Sequence, residues 1–224
     1  MQKKTTSIIT GAIVAIASTA LAVNTLGLSA PPVDTGTTSP DVLAALDGLP
    51  LNNSSTPGYT REEFGQRWKD TDRNGCDQRN DVLARDLTDV TFKPGTGNCK
   101  VTSGTLADPY TGTVINTEDR QQLGDQIHID HVVPLALAWD LGASEWTPEQ
   151  REIFANDPEE LLAVSTSANT EKSDAGPAEW MPSTGQCAYA ERFVAVLSKY
   201  ELTVSSADRD SLRETLTACL EGAS

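Results

Sequence analysis

The chain has 224 residues, about enough for one ordinary domain and a tail. Hydrophobic residues make up 38% and charged residues 22%, which excludes a disordered chain and a protein with several membrane spans. The formal net charge is −15, from 32 acidic and 17 basic side chains. This charge excludes DNA binding through a general basic surface, because that mode needs many cations to neutralise phosphates.

The first 30 residues have the features of an export signal. A short basic stretch precedes an apolar run, residues 8–23, and Ala22 completes a small-x-small triplet of the kind that signal peptidase cuts. Cleavage there predicts a secreted, extracellular protein. The alternative is an uncleaved anchor, residues 8–30, that holds the protein on the outer face of the cell membrane.

A segment rich in proline, threonine, serine and glycine follows the signal. Residues 31–58 are predicted to form a flexible linker with at most a short helix around Asp41–Leu46. The remaining residues, 59–224, form the predicted domain.

The four cysteines lack a CxxC spacing, so in an exported chain they predict two disulfides rather than a zinc ribbon. Two helical apolar stripes near the C-terminus, with a break at 201–206, predict an antiparallel helix pair. This pair brings Cys187 level with Cys219 and leaves Cys76 to pair with Cys99. The alternative is that the cysteines are free, buried thiols.

Both histidines lie in one short stretch with the sequence IHIDHVVPL, residues 127–135. Apolar residues around a polar cluster, closed by a proline, predict a strand whose end carries His128, Asp130 and His131. An Asp-His pair alone is more often structural than functional, so its meaning depends on the residues that follow.

The residues downstream predict a long loop, a second strand and a helix. Thr147 caps a helix that begins with proline, has glutamine three residues after the cap, and ends near Asn156. The apolar run 161–165 predicts the second strand. The next helix carries Asn169 and Lys172 on one face.

This order of elements resembles the HNH, or His-Me finger, nuclease fold, in which two strands and a helix hold one divalent metal. The residues that carry the resemblance are DHVVP at 130–134, Asn156 within FANDP, and NTEKSD at 169–174. The sequence is similar over residues 58–221 to exported actinobacterial HNH proteins, relatives of the C-terminal nuclease domain of GmrSD-type restriction enzymes. The resemblance implies an α+β fold: a ββα-metal core with additional helices and two disulfides.

The resemblance also implies roles for individual residues. His131 would activate water, because a neutral imidazole accepts a proton near neutral pH. Asp130 and Asn169 would hold one Mg²⁺ or Mn²⁺ that stabilises the transition state. Asn156 would tie down the loop and orient the base. Lys172 would contact phosphate, with a solvated helix lysine as the alternative.

Three further residues have weaker assignments. Arg79 and Arg85 are expected in the substrate groove on resemblance alone. His128 is interpreted as structural, with an outer metal ligand as the alternative. In a regular strand Asp130 and His131 point to opposite faces, so both can serve one phosphate only if the chain bends there.

The sequence therefore predicts an exported, metal-dependent HNH endonuclease that hydrolyses phosphodiester bonds of DNA, with RNA as an alternative substrate and no stable protein partner. The other hypothesis is a non-catalytic secreted or cell-surface binding protein that retains the HNH fold. The presence of Asp130, His131 and Asn169 together favours the enzyme. A zinc hydrolase is disfavoured, because the chain has neither HExxH nor a histidine-rich ligand set.

Overall fold

The structure is a computed structural model that describes residues 39–222. The predicted signal, residues 1–30, lies outside this range, as do residues 31–38 of the predicted linker. Within residues 39–222, no helix has both the length and the apolar character needed to cross a membrane.

Helices and short strands alternate along the described chain. The helices are α1 (Pro40–Gly48), α2 (Gln78–Asp86), α3 (Arg120–Gln126), α4 (Leu135–Asp140), α5 (Pro148–Ala155), α6 (Thr166–Lys172), α7 (Gln186–Lys199) and α8 (Ser206–Leu220). The strands are β1 (Thr88–Phe92), β2 (Val101–Ala107), β3 (Val114–Thr117), β4 (Ile127–His131) and β5 (Leu161–Ser165). This mixture confirms the predicted α+β class.

The strands form two antiparallel sheets. One has the order β1-β2-β3, and the other pairs β4 with β5 so that Ile129 lies opposite Ala163. Ser165 ends β5 and caps α6, since its side chain accepts a hydrogen bond from Ala168 N. The strand β4, the long connection, the strand β5 and the helix α6 therefore follow in the predicted ββα order.

The predicted capping box of α5 is also present. The Thr147 side chain accepts from Gln150 N, and the Gln150 side chain accepts from Thr147 N. At its other end, α5 lies beside the end of β4, where His131 contacts the carbonyl of Ala155.

Two hydrophobic cores meet at β4. Ile127 and Ile129 belong to a core shared with α2, β2 and α3, whereas Val132 and Val133 belong to a larger core built by α1, α4, α5, α7 and α8. Since β4 runs from one core to the other, its polar residues lie in a rigid part of the domain.

Both predicted disulfides are present, and the alternative of free thiols is wrong. Cys187 and Cys219 join α7 to α8 with Cα atoms 5.9 Å apart, and Cys76 is joined to Cys99. The hairpin reverses between Lys199 and Ser206, where the sequence predicts the break.

The short helix predicted around Asp41–Leu46 is present as α1, but it packs on the domain instead of lying in a flexible linker. Ser39 caps α1, and Leu46 of α1 is fully buried in the larger core, against α7 and α8. Leu51 then pairs with Val204 in an isolated bridge. The buried side chains of Leu46 and Leu49 hold this segment on the larger core. The polar, proline-rich composition of the segment does not predict this packing.

Candidate active site

In the imidazole of His131, at the end of β4, one ring nitrogen is hydrogen-bonded to the main chain and the other can accept a proton. Its Nε2 atom lies 3.0 Å from the carbonyl oxygen of Ala155. Since a carbonyl oxygen can only accept, Nε2 carries the proton and Nδ1 carries the lone pair. Nδ1 makes no hydrogen bond to any residue in 39–222. The ring also stacks on Trp68, with centroids 6.1 Å apart and ring planes 14° apart.

The surroundings of His131 favour its neutral form. Burial lowers the pKa of His131 to about 3, with further lowering by the positive charges of Arg61, Lys172 and Arg67. At neutral pH the ring is therefore uncharged and its Nδ1 can accept a proton. Three positive charges thus act on His131. Among the described residues, one positive charge, that of Arg79, lowers the pKa of His128.

Asp130 does not fit the predicted role of metal ligand. Its Oδ1 atom lies 2.9 Å from Lys172 Nζ, its Oδ2 atom accepts from the Tyr110 hydroxyl at 2.6 Å, and the residue is 4% exposed. Both oxygens are thus engaged in the interior. The strand alternation that separates Asp130 from His131 is retained, because β4 pairs with β5 in unbroken register through both residues.

Lys172 is completely buried, so neither a phosphate contact nor a solvated helix lysine describes it. Besides Asp130, its Nζ donates to the main-chain carbonyl of His131 at 2.7 Å. Lys172 therefore braces the backbone that carries the base. The predicted catalytic contact is wrong, because α6 packs its Lys172 face against β4 instead of presenting that face to solvent.

Asn156 is fully buried and joins two segments. Its Oδ1 accepts from Lys69 N at 2.9 Å, and its Nδ2 donates to the carbonyls of Gln66 at 3.1 Å and Glu152 at 2.8 Å. The segment held in this way carries Trp68, which stacks on His131. The geometry fits the predicted loop-tying role, in which Asn156 positions the base without touching substrate.

Asn169 lies beside His128 instead of beside Asp130. Its Nδ2 atom is 3.3 Å from His128 Nδ1, at the start of β4. Arg79 lies nearby, since its Nη2 donates to the carbonyl of Ile127 at 3.2 Å. Burial and the charge of Arg79 lower the pKa of His128. The predicted ligands Asp130 and Asn169 thus have different partners. His128 lies beside Asn169, and its alternative role as an outer metal ligand stays a prediction.

Arg85 is held by several protein groups, and its place in the substrate groove stays a prediction that these contacts do not support. The guanidinium forms an ion pair with Asp86 and donates to the carbonyls of Pro158 at 2.6 Å and Leu161 at 2.7 Å. These bonds attach the end of α2 to β5. Few donors remain for a phosphate.

Three residues near the base were missed in the sequence. Arg61 and Arg67 act electrostatically on His131, and the Arg61 Nη1 atom is buried without a hydrogen-bond partner. Trp68 has a φ of 55°, a left-handed conformation that is uncommon for a bulky residue. The sequence feature that could have indicated these residues is an aromatic side chain between two basic ones, RWK at 67–69. Its distance from His131 along the chain concealed the connection.

The metal prediction has limited support from the donor groups. Among residues 39–222, no group of three or more histidine, cysteine, aspartate or glutamate side chains is arranged to hold a metal ion. The inferred pair of Asp130 and Asn169 does not fit, because Lys172 and Tyr110 engage Asp130.

Comparisons with known proteins identify relatives of the chain. Residues 77–215 match the family of C-terminal domains of GmrSD restriction endonucleases. The chain is 35% identical over 193 residues to an uncharacterized secreted protein of Arthroderma benhamiae. The alignment covers 84% of this chain and 88% of that protein. No solved structure matches. The family match includes His131, Asn156 and Asn169, whereas Arg61, Arg67 and Trp68 precede it.

Proposed function

Because the chain belongs to the family of GmrSD restriction endonuclease C-terminal domains, a nuclease family, we propose that it is an exported endonuclease that hydrolyses phosphodiester bonds of DNA. RNA is the alternative substrate. The observation that carries the proposal is the state of His131, whose Nε2 is held by a carbonyl while Nδ1 has a free lone pair. The relative described as secreted supports the export of this chain.

In the proposed reaction, His131 Nδ1 takes a proton from the water whose oxygen bonds to phosphorus. The bond from phosphorus to the leaving sugar oxygen breaks, and that oxygen takes up a proton from solvent. A base with a pKa of about 3 is weak; burial is the main cause of that value, and nearby positive charges are a smaller cause that a substrate can change. Arg61 and Arg67 lower the pKa of His131, and a bound phosphodiester anion would offset their charge. Substrate binding would therefore raise the pKa of His131 and make it a stronger base when it is needed.

The same two arginines would bind the scissile phosphate. Arg61 carries a buried, unpartnered guanidinium nitrogen, and such a donor is satisfied by an anionic oxygen. Arg67 is exposed beside it, on the segment that Asn156 holds. The net charge of −15 repels DNA at long range, but physiological salt screens this repulsion over about 8 Å. A local pair of cations can therefore still bind a phosphate at contact.

The requirement for one Mg²⁺ or Mn²⁺ is part of the proposal and comes from the HNH relationship. Asn169 and His128 are the neighbouring residues that present an amide and an imidazole nitrogen close to β4, whereas Asp130 is engaged by Lys172.

Plasmid cleavage by the purified protein tests the proposal. The native protein is compared with His131→Ala, and His128→Ala serves as the matched control because it makes the same substitution at the other histidine. We expect His131→Ala to lose at least about 100-fold in rate, the usual contribution of a general base, and His128→Ala to retain part of the activity. Circular dichroism must show that both variants fold. Equal rates for native protein and His131→Ala would contradict the assignment, and inactivity of the native protein under all metal conditions would favour the non-catalytic binding protein.

A further inference from the structure

Residues 70–81, with the sequence DTDRNGCDQRND, have the spacing of a calcium-binding loop. Asp70, Asp72 and Asn74 occupy its first, third and fifth positions, Gly75 the sixth and Asp81 the twelfth. The backbone carbonyl of the seventh residue is a ligand in such loops. The sequence departs from the pattern only at the last position, where aspartate replaces glutamate.

The structure folds this segment as such a loop does. Asp70 Oδ2 accepts from Gly75 N at 3.0 Å and Asp70 Oδ1 accepts from Asn74 N at 3.1 Å, so the chain turns around the first aspartate. Gly75 has a φ of +93°, which permits the sharp turn at the sixth position. The helix α2 then begins after its cap, Asp77, and carries Asp81 back to the loop.

Two buried oxygens at this loop have no hydrogen-bond donor. Gln78 is 1% exposed, and its Nε2 donates to Thr71 Oγ1 at 3.0 Å, which holds the amide against the loop. The Gln78 Oε1 atom is buried and unpartnered, and so is Asp81 Oδ2. A buried acceptor without a partner costs about 1–3 kcal/mol, and a cation bound at the loop would satisfy both oxygens.

Negative charge also accumulates around Asp81. Burial raises the pKa of its carboxyl, the side chain of Asn74 lowers it, and the charges of Asp72, Asp70 and Asp77 raise it again. Asn74 thus interacts with Asp81 directly, and the negative charges of three other loop aspartates act on the Asp81 carboxyl. A bound cation would relieve both the repulsion and the unpaired oxygens.

We propose that residues 70–81 bind one calcium ion through carboxylate, amide and main-chain oxygens. Calcium accepts six to eight oxygen ligands in flexible geometry, whereas magnesium demands a compact octahedron. Acidic side chains alone do not form a metal cluster among residues 39–222, so Asn74, the Cys76 carbonyl and water must complete the ligand set. This mixed set suits the weak affinity of extracellular calcium modules, with a Kd of about 10⁻⁴–10⁻³ M.

The ion would stabilise a segment that reaches the candidate active site from both ends. Trp68, which stacks on His131, lies two residues before the loop. Arg79, within the loop, donates to the carbonyl of Ile127 at the start of β4. Calcium binding by itself does not depend on whether the protein cleaves DNA.

Calorimetric titration and thermal unfolding of the purified protein test the proposal, with calcium chloride, magnesium chloride or a chelator as the probes. The variants are Asp70→Asn and Asp81→Asn. Asp210→Asn, an exposed position on α8, removes the same charge elsewhere. We expect one calcium per chain and a rise in Tm of at least about 3 °C at ~10 mM calcium. Each loop variant should bind calcium at least about tenfold more weakly, while Asp210→Asn should bind it as the native protein does.

The proposal is overturned if the native protein binds no calcium, if magnesium produces the same titration, or if both loop variants keep the native affinity. Should a loop variant fail to fold, the titrations of native protein with the two cations decide the matter alone. An equal loss of affinity in Asp210→Asn would indicate diffuse attraction to the acidic surface and would also overturn the proposal.

Discussion

The Nζ atom of Lys172 lies 2.9 Å from Oδ1 of Asp130, and both side chains are almost inaccessible to solvent. The same Nζ holds the main-chain carbonyl of His131. A helix and a strand that are separated by about 40 residues of chain are therefore joined by one buried charge pair. Breaking such a pair leaves a charge without compensation.

We expect Lys172→Met to destabilise the protein by about 3–5 kcal/mol, because Asp130 would remain buried and unpaired. Urea unfolding measures the loss. Lys93→Met, at an exposed lysine, is the control and should change the stability little. Adding Asp130→Asn to Lys172→Met should recover part of the loss. A single variant as stable as the native protein would mean that the pair contributes nothing.

The low pKa of His131 predicts a loss of stability in acid. The unfolded chain protonates this residue near pH 6.5, whereas the folded protein resists protonation down to about pH 3. Between these values the unfolded state binds more protons, so the free energy of unfolding falls as the pH falls, by at most about 1.4 kcal/mol per pH unit. Unfolding series at several pH values should show a shallower slope for His131→Gln. The same slope in both proteins would show that His131 is not the group responsible.

Arg61→Gln and Arg67→Gln should weaken substrate binding, because each removes a cation proposed to contact phosphate. The dependence of log affinity on log salt should become shallower by about 0.9 for each lost contact with duplex DNA. Arg213→Gln is the control, since Arg213 is exposed on α8 and pairs with Asp47 of α1. DNA binding measured over a series of salt concentrations gives the slopes. If all three variants share the native slope, the phosphate role is excluded.

Cleavage should cease in EDTA and return with magnesium or manganese, whereas zinc should restore little of it. The relationship to HNH nucleases is the reason to expect the harder cations, which would take the Asn169 amide oxygen, water and phosphate oxygens as ligands. Asn169→Ala should raise the metal concentration needed for half the maximal rate. Asp130→Ala should instead lower the Tm, because its carboxylate braces Lys172. Undiminished cleavage in EDTA would refute the metal requirement.

Reduction of the two disulfides should lower the Tm. The bonds close loops with sequence separations of 23 and 32 residues, and the chain-entropy model assigns each about 3 kcal/mol. Scanning calorimetry with and without reductant measures the effect, and non-reducing peptide mapping should recover only the two native pairs. A Cys99–Cys187 peptide would contradict the hairpin.

Several features of this protein follow from residues that lie close together in the sequence. The Thr147 box, the caps of α6 and α8, and the stripes of the terminal hairpin each depend on residues within one or two helical turns. The same local rules place Cys187 opposite Cys219. The ββα order around His131 could be predicted for this reason, whereas the fold class was implied by the resemblance to HNH nucleases.

The side-chain environment of the site was decided only by the tertiary structure. Spacing places Asn169 and Lys172 on one face of α6, but it does not say which of the two meets Asp130. The packing of α6 on β4 buries Lys172 and moves Asn169 to His128, while the docking of residues 61–69 brings two arginines to His131. These contacts join residues that are about 40 to 70 positions apart, and periodicity carries no information over such separations. The sequence by itself therefore determined the ββα elements and the terminal helix pair, whereas the packing of the elements decided which charges are paired in the interior and which remain for a substrate.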